Sequence, residues 1–312
     1  MKTLSRRLSA SLLAIAGLAA AVPALAEPMT YNSVTVDGVK IFYREAGPKD
    51  APTILLLHGF PTSSRMYQGL MPLLADRYHL IAPDYPGFGL SDAPPTDKFA
   101  YTFVHIASVM DDFTQALGLK KYSLYMCDYG GDVGLLLAIA HPERIQTLIV
   151  QNANISEAGE SKLWVVRRAY WADRAGNEDK IRANLSSLEA DRGRHLGTTP
   201  HPERYNPDAW NDEYAFLSRP GEEDIQLDLF YDYRNNQAAF PAWNAWLQKH
   251  QPTALVFWGK YDTSFTVAGA MTYEQDLPNA EVHLLDAGHF ALDEATPEIA
   301  ELIRTFLDKE VK

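Results

Sequence analysis

The chain has 312 residues, 46% hydrophobic and 22% charged, the composition of a soluble globular protein rather than a disordered or fibrous one. A formal charge of -12 argues against nucleic acid or an anionic membrane surface as a partner. The single cysteine, Cys127, excludes an intramolecular disulfide and a zinc site built from several thiolates. A chain this long buries about three quarters of its unfolded surface and needs neither staple.

At the amino end, Lys2, Arg6 and Arg7 precede an apolar run over residues 8–22, and Ala24-Leu25-Ala26 forms a small-x-small cleavage site before Glu27. Residues 1–26 therefore read as a signal peptide cleaved after Ala26, which predicts a periplasmic or secreted protein with no membrane attachment once processed. The apolar run is shorter than the ~20 residues of a membrane span, and Ser5-Arg6-Arg7 is a weak twin-arginine feature. Loss of those three cations and no acid takes the formal charge from -12 to -15. The expected partner is a small, hydrophobic, neutral substrate.

Two alternating segments, 33–36 and 39–43, flank Asp37-Gly38, a pair suited to a tight hairpin. Short continuous apolar runs follow at 53–57, 79–82, 122–126, 145–150, 254–257 and 282–285. Such runs suit strands buried on both faces. Helical patterns at 103–117, 133–140 and 299–306 lie among them, so the alternation predicts an α/β protein with a mostly parallel sheet flanked by helices. The rhythm stops after Asn154 and resumes at Thr253. The expected domain plan is a core of residues 27–154 and 253–312 with a helical cap, 155–252, inserted between. That insertion holds Trp164, Trp171, Trp210, Trp243 and Trp246, five of the six tryptophans, most of which should simply fill its own core.

Ligand sites of open α/β sheets lie at the carboxyl ends of the strands. His58-Gly59-Phe60-Pro61 follows the first apolar run, and Pro83-Asp84-Tyr85-Pro86-Gly87-Phe88-Gly89 the second. The third leads into Cys127-Asp128-Tyr129-Gly130-Gly131, the fifth into Trp258-Gly259-Lys260-Tyr261-Asp262, and the sixth into Asp286-Ala287-Gly288-His289-Phe290. This set, in this order, resembles the α/β-hydrolase superfamily over nearly the whole mature chain. The resemblance implies a nucleophile on a sharp strand-to-helix turn, followed in the chain by an acid and a histidine. Asp128, Asp262 and His289 stand in that order.

Centring the turn on Asp128 places Gly130 two residues later, where a missing side chain lets it close, whereas centring it on Cys127 places Tyr129 there. Asp128 is the better nucleophile on that ground, although Met126, two residues before it, is large for the turn. Carboxylate attack on a carbonyl would give an anhydride, but attack on an sp3 carbon with a leaving group gives an ester. The resemblance therefore narrows to the epoxide hydrolase and haloalkane dehalogenase branch. It implies that His289, oriented by Asp262, activates water against the ester, and that the backbone N–H groups of Phe60 and Tyr129 form the oxyanion hole. No metal or cofactor is implied. Gln151, Asn152 and Asn154 follow the 145–150 run, where some relatives carry the acid.

The leaving group divides the branch. Tyr233, in Tyr231-Asp232-Tyr233-Arg234-Asn235, matches a tyrosine that assists epoxide opening, while Arg167 stands near the place of a second one and Tyr170 lies one turn later. Tyr129 and Phe60 occupy the positions where haloalkane dehalogenases carry halide-binding side chains, so a halide depends on tryptophans such as Trp164. Trp164 and Tyr170 are the expected substrate contacts. Asp132 stands where fluoroacetate-type relatives carry an arginine for the substrate carboxylate. The expectation is epoxide opening to a vicinal diol. Dehalogenation by the same triad, or a binding protein that kept the pocket and lost turnover, are the alternatives.

Overall fold

The computed structural model describes residues 28–311 apart from 184 and 186, so residues 1–26, expected to be a signal peptide, lie outside the described residues. The first two strands, β1 (Thr30–Val36) and β2 (Val39–Ala46), form an antiparallel hairpin in which Asp37 and Gly38 both take positive φ. A two-residue turn of that kind matches the twist of the strands it joins. Six further strands follow: β3 (Thr53–Leu57), β4 (His79–Pro83), β5 (Tyr122–Cys127), β6 (Ile145–Gln151), β7 (Ala254–Gly259) and β8 (Glu281–Leu285). The sheet order is β1-β2-β4-β3-β5-β6-β7-β8, parallel from β4 onward.

The apolar runs read as doubly buried strands because alternation divides each between two cores. Leu55 and Leu57 enter one cluster and Ile54 and Leu56 the other; Leu124 and Met126 oppose Tyr125 and Cys127 in the same way. Each fully buried aliphatic side chain contributes roughly 1.5–3 kcal/mol. The pairing places Leu57 beside Met126, Met126 beside Val150, and Val150 beside Val256. Four strands thus end in one row, and the polar loops after them converge.

Ten helices cover the sheet among the described residues: α1 (Met71–Leu74), α2 (Phe103–Ala116), α3 (Tyr129–Ala140), α4 (Trp164–Ala172), α5 (Arg174–Arg182), α6 (Leu188–Leu196), α7 (Asp208–Leu217), α8 (Glu222–His250), α9 (Val267–Asp276) and α10 (Ala291–Glu310). Helix α3 begins four residues earlier than its apolar pattern predicts, with Tyr129-Gly130-Gly131-Asp132 as its first turn. Helices α4 to α8 lie between β6 and β7, where the strand rhythm stops. Helix α8 runs 29 residues through Pro241, with Glu222, Glu223 and Asp224 at its amino end and Lys249 and His250 at its carboxyl end, the charge order that its dipole favours. Polar links tie this helical segment to the sheet side: Asp232 accepts from the Phe103 N–H at 2.9 Å, Arg219 donates to the Gly89 carbonyl at 2.9 Å, and Arg65 pairs with Asp212 at 2.6 Å. No described helix is long and apolar enough to cross a membrane.

Candidate active site

Asp128 is the residue between β5 and α3, with φ 49° and ψ -120°. A non-glycine residue in that region stores about 1–3 kcal/mol of strain, which the surrounding packing must hold. The glycines around it show how tightly the turn is held. A Cβ on Gly130 would lie 2.1 Å from the Leu57 carbonyl oxygen, and one on Gly59 would lie 2.3 Å from the Asp128 Cβ. Met126 is accommodated by Gly134, where a Cβ would meet the Met126 Sδ at 2.4 Å. Gly130→Ala is expected to cost about 3 kcal/mol, since Leu57 is anchored in the sheet and cannot give way. It should also lower activity by shifting the loop that carries the Phe60 N–H. A denaturation midpoint and kcat measured on the same variant check both effects.

The carboxylate of Asp128 is oriented at both oxygens. Oδ1 accepts the Phe60 N–H at 2.9 Å and Oδ2 lies 3.4 Å from His289 Nε2; the Tyr129 N–H also bonds the carboxylate. The Phe60 loop is held by buried His58, whose Nδ1 lies 3.1 Å from the Gly59 carbonyl and whose Nε2 accepts the Tyr85 N–H at 3.3 Å. That pairing requires a neutral ring, and burial depresses His58 accordingly.

His289 Nδ1 lies 2.7 Å from Asp262 Oδ2. Asp262 is fixed in turn by the N–H groups of Ser264 and Phe265, 2.7 and 2.9 Å from Oδ1. Asn152 completes the set, its amide donating to Asp262 Oδ2 at 2.7 Å and its Oδ1 accepting the Gly259 N–H at 3.0 Å. Sequence reasoning noted Asn152 only for not being an acid; that polar residue at the end of β6 was the available signal. Burial alone would depress His289, but Asp262 and Asp128 outweigh it and push the imidazole up to about 10. Burial alone would raise Asp128, but the bond and charge of His289, with the N–H groups of Phe60 and Tyr129, bring it below the ordinary carboxylate range. Each partner thus favours the charged form of the other.

A cavity of about 390 Å³ opens above Asp128 and His289. Phe60, Tyr129 and Phe230 form much of its apolar wall, and Arg167 from α4 and Arg194 from α6 complete it from the inserted helices. Three expected residues stand behind this lining. Trp164 is buried with its indole N–H donating to the Ser264 carbonyl at 3.0 Å, and the Tyr170 hydroxyl donates to the Leu227 carbonyl at 3.2 Å. Neither is among the residues that line this cavity. Tyr233 is buried 5.9 Å from the Tyr129 ring, centroid to centroid, and packs on Trp164, Trp171 and Phe103. Arg167, near the place where the resemblance implies a second tyrosine, lines the cavity together with Arg194, which no sequence motif marks.

The strand order, the strained turn and the Asp128, His289 and Asp262 alignment define a hydrolase-type α/β site. The α/β hydrolase fold family matches residues 52–296, and the chain belongs to that family. An uncharacterized hydrolase of Saccharomyces cerevisiae is 40% identical over 271 residues, 86% of this chain and 93% of that one. A haloalkane dehalogenase of Psychrobacter cryohalolentis is 36% identical over 115 residues, 36% of this chain and 38% of the dehalogenase. The structure of the epoxide hydrolase CorEH superposes with a TM-score of 0.72 at 20% identity, covering 90% of this chain and 99% of that one. The protein is a hydrolase of the α/β family.

Proposed function

We propose that this hydrolase acts on alkylating substrates through a covalent ester on Asp128, and that its leaving group is an epoxide oxygen. The observation that carries the reading is a carboxylate at the strained turn, with Oδ1 on the Phe60 N–H and Oδ2 at the His289 imidazole. In the first step Oδ2 bonds the sp3 carbon, the ring C–O bond breaks, and the oxygen leaves with the bonding pair and takes a proton from solvent, matched by the proton that the His289 imidazolium gives up to solvent once the ester has neutralised Asp128. In the second, His289 removes a proton from water, which attacks Cγ of the ester. The oxyanion that forms there is held by the Phe60 and Tyr129 N–H groups, and its collapse releases the alcohol. The sum is the addition of one water. Esterification removes the charge of Asp128, one of the causes that hold His289 high, and so helps free the imidazole to act as base.

Epoxide is preferred over halide because the indole N–H groups of Trp164, Trp171 and Trp258 all donate to backbone carbonyls, of Ser264, Phe230 and Phe265. Dehalogenation is the second reading, favoured by the shared identity with the Psychrobacter enzyme over a third of this chain. Export to the periplasm or beyond is proposed from residues 1–26 alone.

His289→Gln tests the reading, since losing the base should stall the ester. Incubated with a panel of epoxides and haloalkanes and analysed by intact and peptide mass, it is expected to carry the full epoxide mass on the peptide that contains Asp128. Gain of an alkyl group without halogen would establish dehalogenation instead. A folded variant that gains no mass from any member of the panel would overturn the covalent mechanism.

A further inference from the structure

The chain is acidic overall, with 40 acidic and 28 basic residues, yet two of its guanidinium groups line a cavity that reaches Asp128. Their placement follows from ring stacking. Arg194 sits 5.0 Å over the Phe60 ring, and Arg167 sits 4.8 Å over the Phe230 ring and 4.3 Å over the Trp164 ring. Phe60 and Phe230 meet edge to face at 5.0 Å. Two cations are thus seated on two touching rings, both of which line the cavity.

Arg194 is paired with Asp191 of its own helix, a carboxyl that burial raises to about 7. Arg167 is half-buried, and no described carboxylate lies within 4.0 Å of it; its neighbour Arg168 is the residue that takes Glu160. Stacking of Arg167 on aromatic faces leaves the edge of its guanidinium, with its N–H groups, open to bind a planar anion through two bonds. Bringing two like charges to one low-dielectric wall is costly unless an anion sits between them.

We propose that the substrate carries a carboxylate, bound at the wall formed by Arg167 and Arg194 while its electrophilic carbon faces Asp128. This rests on the covalent reading of Asp128. It replaces the neutral substrate suggested by composition, and it differs from an arginine on the nucleophile helix, whose place Asp132 holds. The carboxylate is not consumed: it orients the molecule, and the bonds made and broken are those of the ester cycle. Keeping the anion on the wall of the inserted helices also separates it from Asp128, whose own charge would repel it.

The test compares an epoxy carboxylate with its near-isosteric carboxamide, and an α-halo carboxylate with its carboxamide. The wild type is expected to favour the carboxylate at least tenfold in kcat/KM for the leaving group it uses. In Arg167→Met, which keeps the stacking volume between Trp164 and Phe230, that preference should fall to near unity, and Arg167→Lys should restore part of it. A structural role alone would lower Tm, or both substrates together, without moving the ratio. The same pairs applied to His289→Gln separate the two levels of inference. Equal or faster labelling of Asp128 by the carboxamide would overturn the anionic substrate and leave the ester mechanism standing. No labelling of Asp128 by any of the compounds would overturn both.

Discussion

Asp128→Ala is expected to abolish turnover of any substrate that labels Asp128 in the His289→Gln protein, with kcat lower by at least ~10⁴, the scale seen when the nucleophile of a catalytic unit is removed. Neighbouring groups cannot substitute. Cys127 is buried and faces the opposite core, and its thiol is driven up by burial first and by the charge of Asp128 second, so it supplies no thiolate. The fold should survive, because the strain at φ 49° belongs to the nucleophile position rather than to the packing below it. Removing the carboxylate also removes the partner of the His289 imidazolium and the acceptor of the Phe60 N–H. Asp128→Gly loses the same contacts but relieves the positive φ, so it should be more stable than Asp128→Ala by about 1 kcal/mol. Residual kcat within a hundredfold of wild type in both variants, at unchanged Tm, would move the nucleophile elsewhere.

The parts of this site that were legible in the sequence are those set by local chain geometry. Every parallel strand ends in a loop at one edge, so residues that follow apolar runs are brought together whatever the helices do. Asp128, Asp262 and His289 stand in such loops, and the resemblance to the α/β hydrolases supplies the significance of their order. Gly130 identified the turn because its missing Cβ is a steric requirement set within a few residues and by β3 beside it. The inserted helices follow no such rule. Their residues reach the cavity according to how α4, α6 and α8 cross, and that depends on packing between segments far apart in the chain. Arg167 was visible as a misfit at a place expected to hold tyrosine. Arg194, beside a histidine on a short polar helix, carries no sequence feature that separates it from a surface cation. Trp164 is expected as a donor and Tyr170 for its place one turn beyond the second tyrosine position, but packing buries both with their donors turned to backbone. Asn152 was legible as a position and not as a role, since its bond to Asp262 depends on the register of β6 against β7.

The helix that delivers Arg194 is held by the next residue, and this sets a pH limit on the protein. His195 on α6 is buried with Nε2 at 2.7 Å from Glu213 of α7 and Nδ1 at 3.1 Å from Asp293 of α10, and it stacks on Phe290 at 4.0 Å. A single imidazolium thereby joins two inserted helices to the carboxyl-terminal helix of the core. Asp191 and Arg194 are the other charged groups of its own helix near it. Burial alone would depress His195, but Glu213 and Asp293 outweigh it and raise it to about 9. A histidine whose folded pKa exceeds its unfolded value of about 6.5 contributes its full stability below pH ~6.5 and loses it as the pH rises through 9, a contribution of roughly 3 kcal/mol. Wild-type stability should therefore fall from pH 6.5 to 9.5, while His195→Gln should be weaker by roughly that amount at pH 6 and lose much less over the same range. His289, raised in the same direction, titrates in both proteins, so the difference between the two curves isolates His195. Denaturant midpoints of both proteins at half-unit pH intervals measure it. Parallel curves would mean that Glu213 and Asp293 are satisfied without a charged imidazole, and that α6 is held by packing on Phe290 alone.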